Sequence, residues 1–205
     1  MAKIGIMGGT FDPIHNGHLL LGRQAYMEYE LDCIWYMPSG QPPHKKDHTI
    51  TDAAHRCAMV RLAIADEPKF QLSEFETTRE GNTYTAQTLE LLKQEYPEDT
   101  FYFIIGADSL YEIERWYHPE RVLAAVSILV ADREYPKEHP TIDQQIAYLS
   151  GKYPCHIQKL HCQEVDIASA DLRRTAAKGE TICKYVPKEV EEYIITHHLY
   201  QEEES

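Results

Sequence analysis

Six apolar runs of strand length alternate with six segments of helical period along this chain, and that alternation constrains its fold more than any other feature. "KIGIMG", "DCIWYMP", "FQLSEFE", "TFYFIIG", "VSILVAD" and "CHIQKL" read as strands, the third by alternation and the fourth by its strength. "HLLLGRQAYMEYE", "TDAAHRCAMVRLAIAD", "TYTAQTLELLKQEY", "TIDQQIAYLSGKY", "SADLRRTAAKG" and "VPKEVEEYIITHHLY" read as helices. Thr51 or Asp52 can cap the second helix, Gly179 closes the fifth, and Pro187 stands near the start of the sixth. Such alternation implies an α/β fold, a mostly parallel sheet with helices on both faces. At 205 residues one domain over 1–205 is expected, with no internal repeat. The segment 38–49, "PSGQPPHKKDHT", is the one turn-rich, basic insertion, and the tail 201–205 is expected to fray.

In sheets of this kind ligands sit beyond the carboxyl ends of the strands, where the strand order reverses. The stretch "GIMGGTFDPIHNGHLLLGRQA", Gly5 to Ala25, follows the first strand and opens the first helix. Gly8 and Gly9 let backbone amides approach an anion without an intervening side chain. Asp12 and Pro13 shape a turn. His15 and His18, three apart around Asn16 and Gly17, can present two imidazoles to one ligand at the positive end of the helix. Two imidazole donors and a helix N-terminus make a pocket for phosphate oxygens, above all for charge developing on a transferring phosphoryl group. Other readings fit less well. "GIMGGT" lacks the third glycine of a dinucleotide fingerprint, and no Gly-Lys-Ser/Thr completes a phosphate loop. Metal chelation by the two histidines lacks a third ligand at useful spacing, so no metal site is expected.

Composition bounds the partners. With 20 Lys and Arg against 33 Asp and Glu, the formal charge of −13 argues against nucleic acid, which needs a broad basic face. A small anionic substrate remains open where a few basic residues converge. Cys33, Cys57, Cys155, Cys162 and Cys183 form no C-x-x-C and are odd in number, which points to free thiols in a reducing cytoplasm. The first apolar run is too short for a signal peptide and no run approaches membrane-spanning length, so no membrane partner is expected. Oligomeric state stays open, homo-oligomers included.

"GGTFDPIHNGH", Gly8 to His18, resembles the signature of the H-x-G-H nucleotidyltransferase superfamily, and in this full form that of the bacterial nicotinate mononucleotide adenylyltransferase family. "PSGQPPHK" is similar to that family's substrate-side loop, "GNTYTAQTLELL" to its S-Y-T-x-x-T-L segment, and "FIIGADSL" followed by "RWY" to its F-I-x-G-x-D element. "VPKEVEEYIITHHLY" resembles its terminal helix, so the likeness runs through nearly the whole chain. The second phosphate motif departs: where the family reads I-S-S-T-x-I-R, this chain has "IASADLR", keeping Ser169 and Arg173 but placing Ala168 and Ala170 at two hydroxyl positions.

The resemblance implies a Rossmann-like fold and transfer of the adenylyl group of ATP, carried as Mg-ATP, to nicotinate mononucleotide. Nicotinate adenine dinucleotide and pyrophosphate would be the products, in NAD biosynthesis. Sister reactions on nicotinamide mononucleotide, phosphopantetheine or a cytidylyl donor are rivals, as is a nucleotide-sensing module without turnover. It implies catalytic roles for His15, His18 and Arg173. ATP would be held by Gly8, Gly9, Thr10, Phe11, His15, His18, Gly106, Asp108, Ile167, Ser169 and Arg173. The mononucleotide would be held by Lys45, Tyr84, Thr85, Asp108, Tyr111 and Trp116. Read from the residues alone, Asp108 is equally a helix N-cap, Trp116 equally core filler stacked on nothing, and Arg173 a solvated helix face. Arg173 and Arg174 point about 100° apart, so at most one enters a site.

Overall fold

The computed structural model describes residues 1–40, 50–131, 140–162 and 167–201. Its six strands are β1 (Lys3–Gly9), β2 (Cys33–Pro38), β3 (Phe70–Leu72), β4 (Thr100–Ile105), β5 (Ser127–Ala131) and β6 (His156–Leu160). They form one parallel sheet in the order β3-β2-β1-β4-β5-β6. β1 lies in the middle, with Ile4 opposite Cys33 of β2 on one side and Phe101 of β4 on the other. The chain therefore winds outward from β1 in one direction and restarts at β4 in the other. The carboxyl ends of β1 and β4 flank the point of reversal, where a crevice opens.

The helices are α1 (Asn16–Glu28), α2 (Ala53–Ala63), α3 (Thr85–Glu95), α4 (Ala107–Glu112), α5 (Pro119–Ala125), α6 (Ile142–Lys152), α7 (Ser169–Ala177) and α8 (Lys188–Thr196), with a 3-10 turn at Ile113–Arg115. Strand residues alternate between two cores, as a period of two requires. Ile4 and Ile6 of β1, Phe101, Phe103 and Ile105 of β4, and Ile128 and Val130 of β5 face α3 to α6, meeting Leu89, Leu110, Val122 and Leu149. Met7, Ile104 and Leu129 face α1, α2, α7 and α8, meeting Leu19, Ala25, Met59, Leu172, Val190 and Ile194. Both faces are thus covered, which is why the strands read as continuous apolar runs.

Two expectations need correction. The third strand stops at Leu72 rather than running through "SEFE". Ser73 still donates its N–H to Tyr36 (2.8 Å), but the Thr77 and Thr78 hydroxyls then donate to the Glu74 carbonyl and fold the chain into a turn. Between the fourth and fifth strands two short helices, α4 and α5, carry the chain where no periodic segment is evident. At 6 and 7 residues they are too short to show a period. All five cysteines are free thiols. Among the described residues no helix is long and apolar enough to cross a membrane.

Candidate active site

β1 delivers Gly8 and Gly9 to the crevice. A Cβ on Gly8 would lie 3.0 Å from the Phe103 ring and one on Gly9 3.1 Å from the Phe11 ring, so tight packing demands these glycines as well as any anion would. The chain then turns at Phe11, whose φ of 52° is left-handed, and crosses a cis peptide bond at Asp12-Pro13. α1 starts two residues earlier than its apolar pattern suggests: His15 is the N-cap and His18 the third helical residue. Both histidines consequently sit at the positive end of one helix.

Their geometry separates their roles. The rings stack with centroids 3.6 Å apart and 24° between planes, and the backbone N–H of His15 donates to His18 Nδ1 at 3.2 Å. A neutral imidazole that accepts at Nδ1 carries its hydrogen on Nε2, so this bond assigns His18 the Nε2–H tautomer. His15 is 7% exposed, and burial lowers its pKa to about 4, leaving the ring neutral near pH 7. Two neutral rings can stack closely where two imidazolium ions would repel. The Phe11 ring meets His18 edge-on, centroids 5.0 Å apart, and holds it from the core side.

The turn before α1 also anchors the second phosphate motif. Asp12, 1% exposed, accepts the Thr51 N–H at Oδ2 (3.2 Å) and the Tyr200 hydroxyl at Oδ1 (2.8 Å). Arg173 donates to the Asp12 carbonyl (2.7 Å), and Ser169 Oγ donates to the Pro13 carbonyl (3.1 Å). The two segments, 156 residues apart in the Ser169 contact, are thereby pinned to each other. Arg174 instead points outward and pairs with Asp171. The expected register of this helix is the observed one.

A cavity of about 500 Å³ runs from this turn across the carboxyl ends of β1 and β4, a volume within the usual range of small-molecule sites. Gly8, Gly9, Thr10, His15 and His18 line it, as do Gly106, Asp108 and Ile167. Tyr84, Thr85 and Trp116 line it as well. Gly106, not Asp108, is the N-cap of α4, so the capping reading of Asp108 falls and its exposed carboxylate borders the cavity. Trp116 packs edge-on against Phe103 (6.2 Å) and also lines the cavity.

Four expected contacts are not made by cavity-lining side chains. Phe11 is 2% exposed and serves as the floor beneath His18. Tyr111 turns its hydroxyl to the Pro140 carbonyl (2.5 Å), tying α4 to the start of α6, and does not line the cavity. Ser169 and Arg173 stand behind the lining, on the carbonyls just described. Lys45, with residues 41–49 of the substrate-side segment, lies outside the described residues.

Comparisons with known proteins place the chain in a family. A cytidylyltransferase-like family model matches residues 6–194. A relative from Lachnoclostridium phytofermentans, named "Probable nicotinate-nucleotide adenylyltransferase", is 43% identical over 98% of this chain and 100% of its own length. One of the same name from Bacillus pumilus is 37% identical over 98% of this chain and 100% of its own. The chain belongs to the nicotinate-nucleotide adenylyltransferase family. Its fold is likewise that of a nicotinic acid mononucleotide adenylyltransferase of Plasmodium falciparum complexed with NaAD, with TM-score 0.80, 23% identity and 98% of both chains covered.

Within this family frame the sequence reading missed several lining residues. Ser39, Glu76, Thr83 and Tyr117 all border the cavity. Tyr117 follows Trp116 directly and meets Tyr84 ring to ring, 4.3 Å between centroids. Position carries a usable signal for Ser39: it follows β2, whose carboxyl end adjoins that of β1. Nothing in the sequence singles out Glu76, on a turn beyond β3. Among the described residues, the buried side-chain polar atoms without a hydrogen-bond partner are His15 Nδ1, Ser39 Oγ and Thr83 Oγ1. All three belong to cavity-lining residues. An orphaned buried polar group costs about 1–3 kcal/mol, so these three positions suit polar contacts to a ligand.

Proposed function

We propose that this chain transfers the adenylyl group of ATP to nicotinate mononucleotide, giving nicotinate adenine dinucleotide and pyrophosphate. A phosphate oxygen of the mononucleotide attacks the α-phosphorus of ATP in line. The bond from that phosphorus to the bridging oxygen breaks, and its electron pair leaves with pyrophosphate. The acceptor brings its own nucleophile, so the protein supplies position and charge stabilisation. The observation that carries this reading is the stacked His15–His18 pair at the start of α1, its tautomer fixed, at the point where the sheet order reverses.

The residues take roles accordingly. The backbone around Gly8, Gly9 and Thr10 borders the triphosphate. Neutral His18 donates from Nε2 to the α-phosphate as negative charge builds there, and His15 supports its ring and offers its own orphaned Nδ1 edge. Arg173, which donates to the Asp12 carbonyl from behind the lining, supplies positive charge for the β- and γ-phosphates, with Ser169 at the N-terminus of α7. Mg²⁺ would enter bound to the triphosphate and offset its charge. Among the described residues no group of three or more His, Cys, Asp or Glu is placed to hold a metal ion.

At the other end, Tyr84 and Thr85 begin α3, whose first turn has no acidic residue and no side-chain cap. The positive end of that helix suits a carboxylate. Trp116 offers a ring face for the pyridinium. Incubation of the purified protein with Mg-ATP and a panel of acceptors tests the reading. Equimolar pyrophosphate and nicotinate adenine dinucleotide are expected with nicotinate mononucleotide. Faster turnover with phosphopantetheine or nicotinamide mononucleotide, or ATP binding without pyrophosphate release, would overturn it.

A further inference from the structure

Arg56 is 2% exposed and projects from α2 into the protein rather than toward solvent. Among the described residues its hydrogen bonds go to backbone carbonyls: Nε donates to Thr51 (2.8 Å), one terminal nitrogen to Thr10 (2.8 Å) and the other to Gly40 (3.3 Å). These carbonyls come from three separate pieces of chain. Thr10 lies in the turn that bears the glycines and histidines. Gly40 follows Ser39 at the exit of β2, toward the mononucleotide end. Thr51 is where the chain returns to α2, and its own N–H donates to Asp12.

Gly40 is fixed from its other side as well. A Cβ there would sit 2.5 Å from the Glu76 carbonyl and 3.0 Å from Thr83 Cγ2, so this backbone lies flush against the segment that leads into Tyr84 and Thr85. The β1–β2 ladder ends with the Ser39 N–H donating to the Gly9 carbonyl (2.8 Å), and beyond it one guanidinium braces the nucleotide wall against the mononucleotide wall of the cavity. The task needs this group. Its planar fork reaches carbonyls fanned over three directions, whereas an ammonium is a compact point on a single stem. A buried cation contributes little to stability compared with a well-packed apolar residue, so simple core filling does not account for an arginine here.

We propose that Arg56 is a positioning residue that couples the two halves of the active site. It touches neither substrate. By holding Thr10, Gly40 and Thr51 at fixed spacing, it keeps the acceptor oxygen in line with the α-phosphorus. This rests on the adenylyl-transfer reading given above. Displacing reacting groups by about 1 Å can lower a rate on the order of a hundredfold, while each substrate alone still finds its own wall intact.

The test compares wild type with Arg56→Lys, with circular dichroism and thermal melting to establish that the variant is folded. The variant should lose about tenfold or more in kcat, with KM for each substrate within about threefold. In wild type, nicotinate mononucleotide should change the affinity of a non-hydrolysable ATP analogue by about fivefold or more, and the variant should abolish that effect. Hydrogen exchange on the wild-type protein gives a readout that needs no variant. The ATP analogue alone should slow exchange at the Gly40 amide, which lies on the far side of Arg56 from the nucleotide. A variant with kcat within twofold of wild type, a loss confined to KM for ATP, or unchanged exchange at the Gly40 amide would overturn the proposal. Failure of wild type to form nicotinate adenine dinucleotide would instead sink the substrate assignment. The exchange result, which needs only the ATP analogue, would stand apart from it.

Discussion

His18 and His15 share one helix turn but differ in what surrounds them, and that difference divides their work. His18 has a hydrogen bond at Nδ1 that leaves Nε2–H as its donor, and in the proposed transfer that donor would meet charge that exists only as the reaction proceeds. His18→Ala should lower kcat by roughly a hundredfold or more while shifting ATP affinity far less, read from steady-state kinetics beside equilibrium binding. Near-normal turnover would remove it from the mechanism. His15 is held neutral by burial, with a pKa of about 4 against an ordinary 6.5. Because the folded state binds this proton less readily than the unfolded one, the stability it contributes is complete above pH 6.5. It is lost as pH falls from there toward 4, up to about 3 kcal/mol in all. Urea unfolding at pH 7, 6 and 5 should therefore show a shallower pH dependence for His15→Asn than for wild type. Equal slopes would show that the ring titrates normally in the fold.

Among the elements, α7 carries the second phosphate motif, with Ala168 and Ala170 where the resemblance leads one to expect hydroxyls. Ala168 stands at the N-cap and gives no side-chain hydrogen bond, and Ala170 offers no hydroxyl, so the helix start presents backbone and Arg173. Arg173→Ala should raise KM for ATP by about tenfold and also loosen the Asp12 turn. Arg174→Ala should do little, since its exposed pair with Asp171 is of a kind worth about 0–1 kcal/mol. Ser and Thr restored at 168 and 170 should be neutral or mildly helpful to ATP binding. A damaging Arg174→Ala would mean that the helix is rotated from its place in the structure. The elements were legible in the sequence wherever a period could develop. β1, β2, β4 and β5 bury both faces and read as apolar runs, and α1, α2, α3 and α6 each span three turns or so. α4 and α5 were not legible because neither completes two full turns. β3 was overextended because the alternation in "SEFE" is that of a turn closed by Thr77 and Thr78.

At the scale of the whole molecule, the glycine-histidine turn was legible because it is contiguous in sequence. The walls opposite it were legible only in part, because they are assembled from ends of distant strands. Ser39, Glu76, Thr83 and Tyr117 meet there through strand order alone, and Arg56 acts through carbonyls that no sequence pattern displays. The assembled walls bear directly on the choice between nicotinate and nicotinamide mononucleotide, which differ by a carboxylate against an amide. Glu114 and Glu120, close in sequence to Trp116, are engaged elsewhere: Glu114 with Lys152 (2.6 Å) and Tyr153 (3.0 Å), Glu120 with His118 (2.9 Å). Glu76 does line the cavity, but its Oε1 accepts the Thr88 hydroxyl at 2.7 Å. At the Thr85 end the start of α3 supplies a set of donors. An amide there sets its NH₂ against donors, and each buried group left unpaired costs about 1–3 kcal/mol. Sites matched by hydrogen bonding can reject such analogues by up to roughly four orders of magnitude. The most direct measurement is the ratio of kcat/KM for the two mononucleotides under one set of conditions. A ratio of about a hundred or more in favour of the acid is expected, and a ratio near one, or one favouring the amide, would contradict the assignment of nicotinate mononucleotide as the acceptor.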